Sequence, residues 1–592
     1  MQTKLLRTVL LCTVAGATLV TPALAQDDPF SDYVPVTEEM LNNPDDSDWL
    51  TFRRTRNHWG FSPLDQINGD NVDELRMVWA LGMESGGWES VPLVYDGIMF
   101  IPQPGDVVVA VDATTGDTIW QYRRELPPDI MDYDPFGLHN LTRTLAIEGE
   151  RIVFDSADGF LIALDVRTGQ VVWETQLHDF RSSSNWASAG PVIIGGKVLT
   201  NRSCTIHGGP ESCFIAAHDL ESGEEMWRTY TIPRPGEPGD ESWGDVPYES
   251  RLHIGSWMPP SYDPELNLVY YGTSVTTPYP KFLVGGDVQD GEYLYQTSTL
   301  AIDPDTGEIV WYYQHLRDHW DIDHPFGRIL VDTVVSPDPE DVAWISPNVT
   351  PGQERQVVTG IPGKTGVIYT LDRATGEFLW ARSTTPQNVV IGFDPDGRVQ
   401  TNPDLIITEA GQEVPVCGGY VRNWPEGAYS PETNTMYFGL TRPTCVMTSF
   451  DDDGPALDAT NPDIIFYYLV GSWHQRNPGR VITEELIGPQ DDNAGYVYAV
   501  DASTGETSWV LGTGDAPVRS LVATAGGLLF GGTTDRRFYA ISQETGDIVW
   551  ETILGAGISG YPVSYEVDGR QFIAVGVAGP DRNSIYAFAL PE

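Results

Sequence analysis

The sequence predicts an all-β fold, an eight-bladed β-propeller, and three observations lead there. One short phrase, Ala-x-Asp-x-x-(Thr/Ser)-Gly-x-x-x-Trp, is written seven times with small variations. The copies recur at intervals that suit one four-stranded blade each. The two ends of the chain carry complementary halves of the phrase. The copies are AVDATTGDTIW from Ala110, ALDVRTGQVVW from Ala163, AHDLESGEEMW from Ala217, AIDPDTGEIVW from Ala301, TLDRATGEFLW from Thr370, AVDASTGETSW from Ala499 and AISQETGDIVW from Ala540. Each reads as a strand end, a tight turn that needs Gly, and a second strand carrying Trp. Such a hairpin cannot bury its own apolar face, so a spacing of about 40–50 residues means stacked or radially arranged units. The Asp, Gly and Trp of these phrases are therefore architecture, and none is assigned to chemistry.

The Trp positions are 120, 173, 227, 311, 380, 509 and 550. The stretch from Trp380 to Trp509 is too long for one blade. AYSPETNTMYFGL from Ala428 has a strand–turn–strand pattern without the Trp, and it reads as a degenerate copy that brings the count to eight. The chain finishes on Tyr586-Ala587-Phe588-Ala589-Leu590, a first half of the phrase, whereas Arg76-Met77-Val78-Trp79 resembles a second half. Pairing the two closes the ring and removes exposed sheet edges. Residues 26–592 are then one large domain.

Residues 1–25 read as a secretory signal. Lys4 and Arg7 precede an apolar stretch from Val9 to Val20, and Ala23-Leu24-Ala25 forms a cleavage site. No apolar run is long enough for a comfortable membrane span. A soluble exported protein is expected, periplasmic in a Gram-negative host. Four cysteines follow the signal, and in an oxidising compartment the natural pairing is Cys204 with Cys213 and Cys417 with Cys445. The formal charge of −50 excludes a nucleic-acid surface. It suits either solubility or a docking field for a basic partner such as a cytochrome. No Cys-x-x-Cys-His occurs, so no haem is attached covalently.

Loops on a rigid scaffold carry function, and the long ones here span residues 181–215, 228–260, 312–330, 381–425 and 446–490. They gather Asn201-Arg202-Ser203, Trp257, His319-Trp320-Asp321-Ile322-Asp323 and Asn423-Trp424, with Lys364 outside them at a hairpin tip. Each has a purely architectural reading: Trp257 as packing, Asp321 as a turn cap, Lys364 as an ordinary tip. Together they resemble the quinoprotein alcohol dehydrogenases, eight-bladed propellers that hold pyrroloquinoline quinone (PQQ) and a metal ion on the axis. The seven phrases resemble that family's tryptophan-docking repeats. WLTFRRTRNHWGFSPLDQIN with WESVPLVYDGIMF is similar to its N-terminal blade, and HWDIDHPFGR to its catalytic loop.

The resemblance implies a role for each matching residue. Asp321 is the catalytic base and a metal ligand. Trp257 is the indole on which the flat cofactor stacks. Lys364 polarises the quinone oxygens. Glu89, Arg143, Ser188 and Asn423 contact PQQ; Arg202 is no family match, but its charge would suit the carboxylates of such a cofactor. These types make sense for a planar tricarboxylate and for alcohol oxidation, which needs a base for the hydroxyl proton and an electron-poor acceptor for the hydride.

Three departures stand out. The adjacent cysteine pair that covers the cofactor in many members is absent around Gly137-Leu138-His139. The family's carboxylate and asparagine metal ligands fall near Thr205-Ile206 and on Val275, which leaves Asp321, Asp323, Thr205 and nearby backbone or hydroxyl oxygens. Asp323 stands where lanthanide-using members place an extra carboxylate, although calcium, which takes many oxygen ligands, is the expected ion. The expected activity is oxidation of an alcohol, a bulky secondary one included, with electrons passed to an external acceptor such as a cytochrome c. The alternatives are an aldose or polyol dehydrogenase, or a non-catalytic propeller scaffold, which would not need the Trp257–Asp321–Lys364 set.

Overall fold

A computed structural model describes residues 29–133, 141–182, 188–202, 204, 209–277, 281–449, 481–579 and 581–592. Contacts divide the chain at Val34/Pro35, and the unit from Pro35 to Glu592 contains all the sheets. Among the described residues no helix is long and apolar enough to cross a membrane.

Blade 1 is an antiparallel meander of Leu93–Tyr95, Ile98–Gln103, Val107–Asp112 and Thr118–Arg123. The first three strands are almost wholly buried, and the fourth alternates buried and exposed positions. Six further sheets repeat the pattern over residues 146–176, 192–230, 261–314, 329–383, 428–513 and 522–553. The eighth is shared by the chain ends. Arg76–Met83 pairs antiparallel with Asn583–Ala589, which continues into Arg570–Ala578 and the strands Gly557–Ile558 and Val563–Val567.

The repeated phrase supplies strands three and four of each blade and docks that blade onto the next. In blade 1 the Asp112 carboxylate accepts from the backbone N–H of Thr114 at 2.7 Å and of Thr115 at 3.1 Å, which shapes the turn. The indole N–H groups then reach forward: Trp79 to Ala113 O, Trp120 to Val166 O, Trp173 to Leu220 O, Trp227 to Pro304 O and Trp509 to Gln543 O, all at 2.9–3.0 Å. The series breaks at Trp311 and Trp380, whose indole nitrogens are buried without a partner; beside Trp311, Tyr270 Oη donates to Arg373 O in the next blade. Trp550 packs on Phe588 of blade 8, and Trp79 carries blade 8 back onto blade 1. The ring is closed.

Among the described residues eight sheets of four or five strands recur, and one expectation is corrected. The Ala428 hairpin is not a blade of its own. Ala428–Ser430 and Thr435–Thr441 are the first two strands of the blade whose phrase ends at Trp509. The eighth blade is the one built from both termini. The excess length after Trp380 is taken up by two small sheets outside the blades, Val390–Phe393 with Val399–Thr401, and Glu413–Cys417 with Thr444–Ser449 and Val481–Leu486. Both disulfides are present: Cys204–Cys213, buried, with Cα atoms 5.0 Å apart, and Cys417–Cys445, directly opposed on neighbouring strands.

Candidate active site

Every blade offers the same address, the few residues leading into its first strand, and polar or aromatic groups gather there. Glu89 precedes Leu93–Tyr95, Arg143 precedes Ala146–Glu148, Ser188 precedes Val192–Ile194 and Trp257 precedes Ser261–Asp263. Asp321, Asp323 and Phe326 precede Ile329–Val335, Asn423 and Trp424 precede Ala428–Ser430, Arg519 precedes Val522–Thr524, and Tyr561 precedes Val563–Val567.

These lead-ins touch one another around the ring. The Arg143 guanidinium pairs with Glu89, donates to Ser188 O at 3.0 Å and Trp257 O at 2.9 Å, and lies 5.1 Å from the Trp257 ring centroid. Trp257 meets Phe326 edge-on at 5.2 Å, and Phe326 lies under Arg422. Arg519 covers Trp424 at 4.8 Å, Tyr561 Oη donates to Trp424 O, and Tyr561 N donates to Ser90 O beside Glu89. Burial raises the Glu89 pKa, with Arg143 pulling the other way. Asn423 is half-buried beside this group, its side-chain oxygen turned back onto the Trp424 N–H.

A second group centres on Lys364, at the tip between Gln353–Gly360 and Val367–Asp372. Its Nζ donates to Asp321 Oδ1 at 3.0 Å, Asp321 O at 3.2 Å and Asp323 Oδ2 at 3.2 Å. Asp323 Oδ1 accepts from Val275 N at 2.8 Å. His253 donates Nδ1–H to Val275 O, and its charge would face Asp323. Burial pushes the Asp321 pKa well up, and the negative charge of Asp323 adds to that push against the pull of Lys364. Asp323 goes the other way: burial is outweighed by Lys364, His253 and the Val275 N–H, and its pKa falls. Two carboxylates two residues apart are thus driven in opposite directions, the pattern that separates a proton acceptor from a fixed charge.

Arg202 does not join either group. Its guanidinium is fully buried, 3.6 Å from Asp155 and stacked over Phe214, between blades 2 and 3. What this segment contributes is support for Trp257: Arg202 O accepts from Ser256 N, and Asn201 Nδ2 donates to Ser256 O and Met258 O, on either side of Trp257. Thr205 and His139 lie outside the described residues. Sequence reasoning missed Arg519, Tyr561, Lys281 and Asp318. The first two stand at the same address as Glu89 and Arg143, so comparing lead-ins blade by blade would have found them.

The donor set fits a planar polyanion. Arg143 Nε and Arg519 Nε are buried with no partner, Lys364 and Lys281 are nearby, and Trp257 offers a half-exposed face. For a metal the described side chains offer less. Asp321 and Asp323 are a pair of carboxylates, and among the described residues no three His, Cys, Asp or Glu side chains converge.

The comparisons with known proteins agree. Residues 49–392 and 510–573 match the family model "PQQ: Glucose/ethanol/alcohol dehydrogenase, beta-propeller domain". The chain belongs to this family of PQQ-dependent dehydrogenases. It is 29% identical to quinohemoprotein alcohol dehydrogenase ADH-IIG of Pseudomonas putida, over 99% of this chain and 79% of that one. It is 30% identical to quinoprotein alcohol dehydrogenase PedH of P. putida, over 87% of this chain and 83% of that one. The solved structure of P. putida ADHIIG superposes with a TM-score of 0.79 at 25% identity, covering 94% of this chain and 83% of that one. A europium-containing methanol dehydrogenase has the same fold, with a TM-score of 0.77 at 23% identity, covering 93% of this chain and 99% of that one.

Proposed function

We propose that this chain is an exported PQQ-dependent dehydrogenase that oxidises an alcohol, with Asp321 taking the hydroxyl proton. The observation that carries the reading is the buried Lys364–Asp321 pair, linked to the Trp257 and Arg143 group through Phe326. Phe326 meets the Trp257 ring and donates its N–H to Pro362 O, two residues before Lys364. PQQ, when bound, would supply the ortho-quinone that takes the hydride, and Asp321 and Asp323 are the carboxylates that would hold a calcium ion. Glu89, Arg143, Ser188, Asn423 and Arg519 are the groups that hold its polar edge, and Trp257 its face. Asp321, raised in pKa and buried, accepts the proton as the C–H bond of the carbinol breaks. Lys364 presents an ammonium to the developing negative charge, in a site where water is scarce and such a charge counts for more. The raised Lys364 pKa, in which the two aspartates outweigh burial, keeps it charged.

The segment 134–140 holds no cysteine, so no vicinal disulfide forms there, and a bulky secondary alcohol is the substrate we infer. Electrons pass to an external acceptor. A relative from Thauera butanivorans is named "1-butanol dehydrogenase (cytochrome c)", and the charge of −50 suits a basic cytochrome. Lys4, Arg7, the apolar run to Val20 and Ala23-Leu24-Ala25 support export to the periplasm.

The test is Asp321→Asn in protein reconstituted with PQQ and calcium, assayed with an artificial acceptor against primary, bulky secondary and sugar alcohols. PQQ still binds and turnover falls by at least about 100-fold, as expected for losing a general base. Near-normal turnover with PQQ bound would overturn the mechanism.

A further inference from the structure

Asp321 is held in a backbone conformation that its own side chain does not favour. Its φ is +75°, the left-handed region. Lys364 alone does not impose this, because it reaches the Asp321 carboxylate and carbonyl from one side only. The residues on either side of Asp321 are fixed by a different group. Asp318, with no exposed surface, accepts the Trp320 N–H on Oδ1 at 2.7 Å and the Ile322 N–H on Oδ2. One carboxylate thus captures the amide before and the amide after the proposed base.

The remaining contacts of the loop hold its outer parts. Trp320 Nε1 donates to Leu405 O at 3.2 Å, Tyr420 Oη donates to Trp320 O, and His324 Nδ1 donates to Ile322 O at 2.7 Å. Behind Asp318 stands Lys281, also with no exposed surface, whose Nζ donates to Thr276 O at 2.8 Å. Burial lowers its pKa to about 7, against the pull of Asp318, Asp321 and Asp323. A buried carboxylate that accepts two N–H groups binds those amides more strongly than a neutral acceptor would. Lys281 also enters the sequence just after Thr276, so it ties the same clamp to the segment whose Val275 N–H holds Asp323.

We propose that Asp318 is a positioning residue for the reaction: it fixes the left-handed turn at Asp321 and so sets the direction in which that carboxylate meets the substrate hydroxyl. The inference rests on the reading of Asp321 as the base. It assigns to Asp318 no contact with substrate or cofactor. A carboxylate misdirected by about 1 Å costs on the order of 100-fold in rate, whereas cofactor affinity is set elsewhere, by the Arg143 and Trp257 group.

The experiment uses the full chain loaded with PQQ and calcium, with PQQ affinity followed by quenching of tryptophan emission and turnover read at matched cofactor occupancy. Asp318→Asn keeps one carbonyl acceptor and the shape, and lowers kcat by about 10-fold; Asp318→Ala keeps neither acceptor and lowers it by about 100-fold. In both, KM and the PQQ Kd stay within about two-fold, and deuterium at the carbinol carbon slows kcat more than in the wild type, because C–H transfer has become the slow step. Trp509→Phe loses an indole hydrogen bond far out on the ring and serves as the measure of lost stability alone, with kcat unchanged. Should Asp318→Ala fail to fold, Asp318→Asn decides. A kcat for Asp318→Asn within two-fold of wild type, or a fall that only follows lost PQQ, overturns the inference. If Asp321→Asn is inactive in that same experiment, the reading of the base stands and the clamp alone fails. If Asp321→Asn is active, both fall.

Discussion

Asp321 combines a left-handed backbone with a buried carboxylate next to another carboxylate. A non-glycine residue in that region costs about 1–3 kcal/mol, which persists only where the surroundings over-determine it, commonly at a functional site. The raised pKa has a kinetic consequence with a definite sign. The base works only when ionised, so turnover is gained as pH rises through the Asp321 pKa and lost below it. Burial places that pKa well above the ordinary carboxylate value of about 4. In the chain free of metal and cofactor the Asp321 carboxyl therefore loses its proton well above pH 4, read as a carboxyl infrared band that Asp321→Asn removes; loss of that band at or below pH 4 would overturn this. The sequence singled out Asp321, Lys364, Trp257 and Arg143 because each type is chemically uncommon at its address, and the fold brings Asp321 to Lys364 and Trp257 to Arg143. Arg202 was misleading for a physical reason. A cation next to a channel loop can turn toward the axis or toward a neighbouring blade, and only the fold shows that Asp155, on the adjacent blade, is there to receive it.

At the scale of the blade, the phrase was legible because it carries two requirements at once. Gly169 has φ +67°, and a Cβ built there would stand 2.5 Å from Trp120 Cε3 of the blade docked onto it. Gly149 has a similar φ of +61° with nothing within 4 Å of such a Cβ. Gly149→Ala therefore meets only backbone strain, about 1–2 kcal/mol, whereas Gly169→Ala adds overpacking of about 1–3 kcal/mol. Urea unfolding of the two variants separates them, with Gly169→Ala the less stable; equal midpoints would show that Trp120 moves aside freely. The misassignment of the Ala428 hairpin has its cause at this scale too. Strands one and two of every blade lack the phrase, since they face neighbouring sheets through generic apolar surfaces such as Leu93–Tyr95 and Ile98–Gln103. When residues 442–494 separate such a pair from its phrase, nothing local says that Thr435–Thr441 belongs beside Gly495–Asp501.

At the scale of the whole molecule, closure sets up the site, because all eight lead-ins meet only if blade 8 returns to blade 1. The chain has a charge of −50, yet Arg53, Arg143, Arg328, Arg422, Lys281 and Lys364 are buried in the lead-ins and adjoining segments. Carboxylates accompany them there, Glu89 with Arg143, Glu426 with Arg422, and Asp321 and Asp323 with Lys364, so the centre is built of ion pairs. Closure itself depends on one seam, the register of Arg76↔Ala589 to Met83↔Asn583, with Trp79 bound to Ala113 O on the far side. Complementary ends made the seam legible in the sequence alone, since half a phrase at each terminus has no other use. Removing residues 583–592 takes the shared strand from between Arg76–Met83 and Arg570–Ala578 and leaves two facing edges open. Exposed edges of this kind pair with other chains. Blade 8 would then no longer seat Tyr561 against Ser90 and Trp424. The truncated chain is expected to associate in size-exclusion chromatography, to melt well below the full chain, and to lose PQQ binding although every site residue is still present. A monomeric truncated protein that binds PQQ at wild-type affinity would show that the site is assembled without the seam.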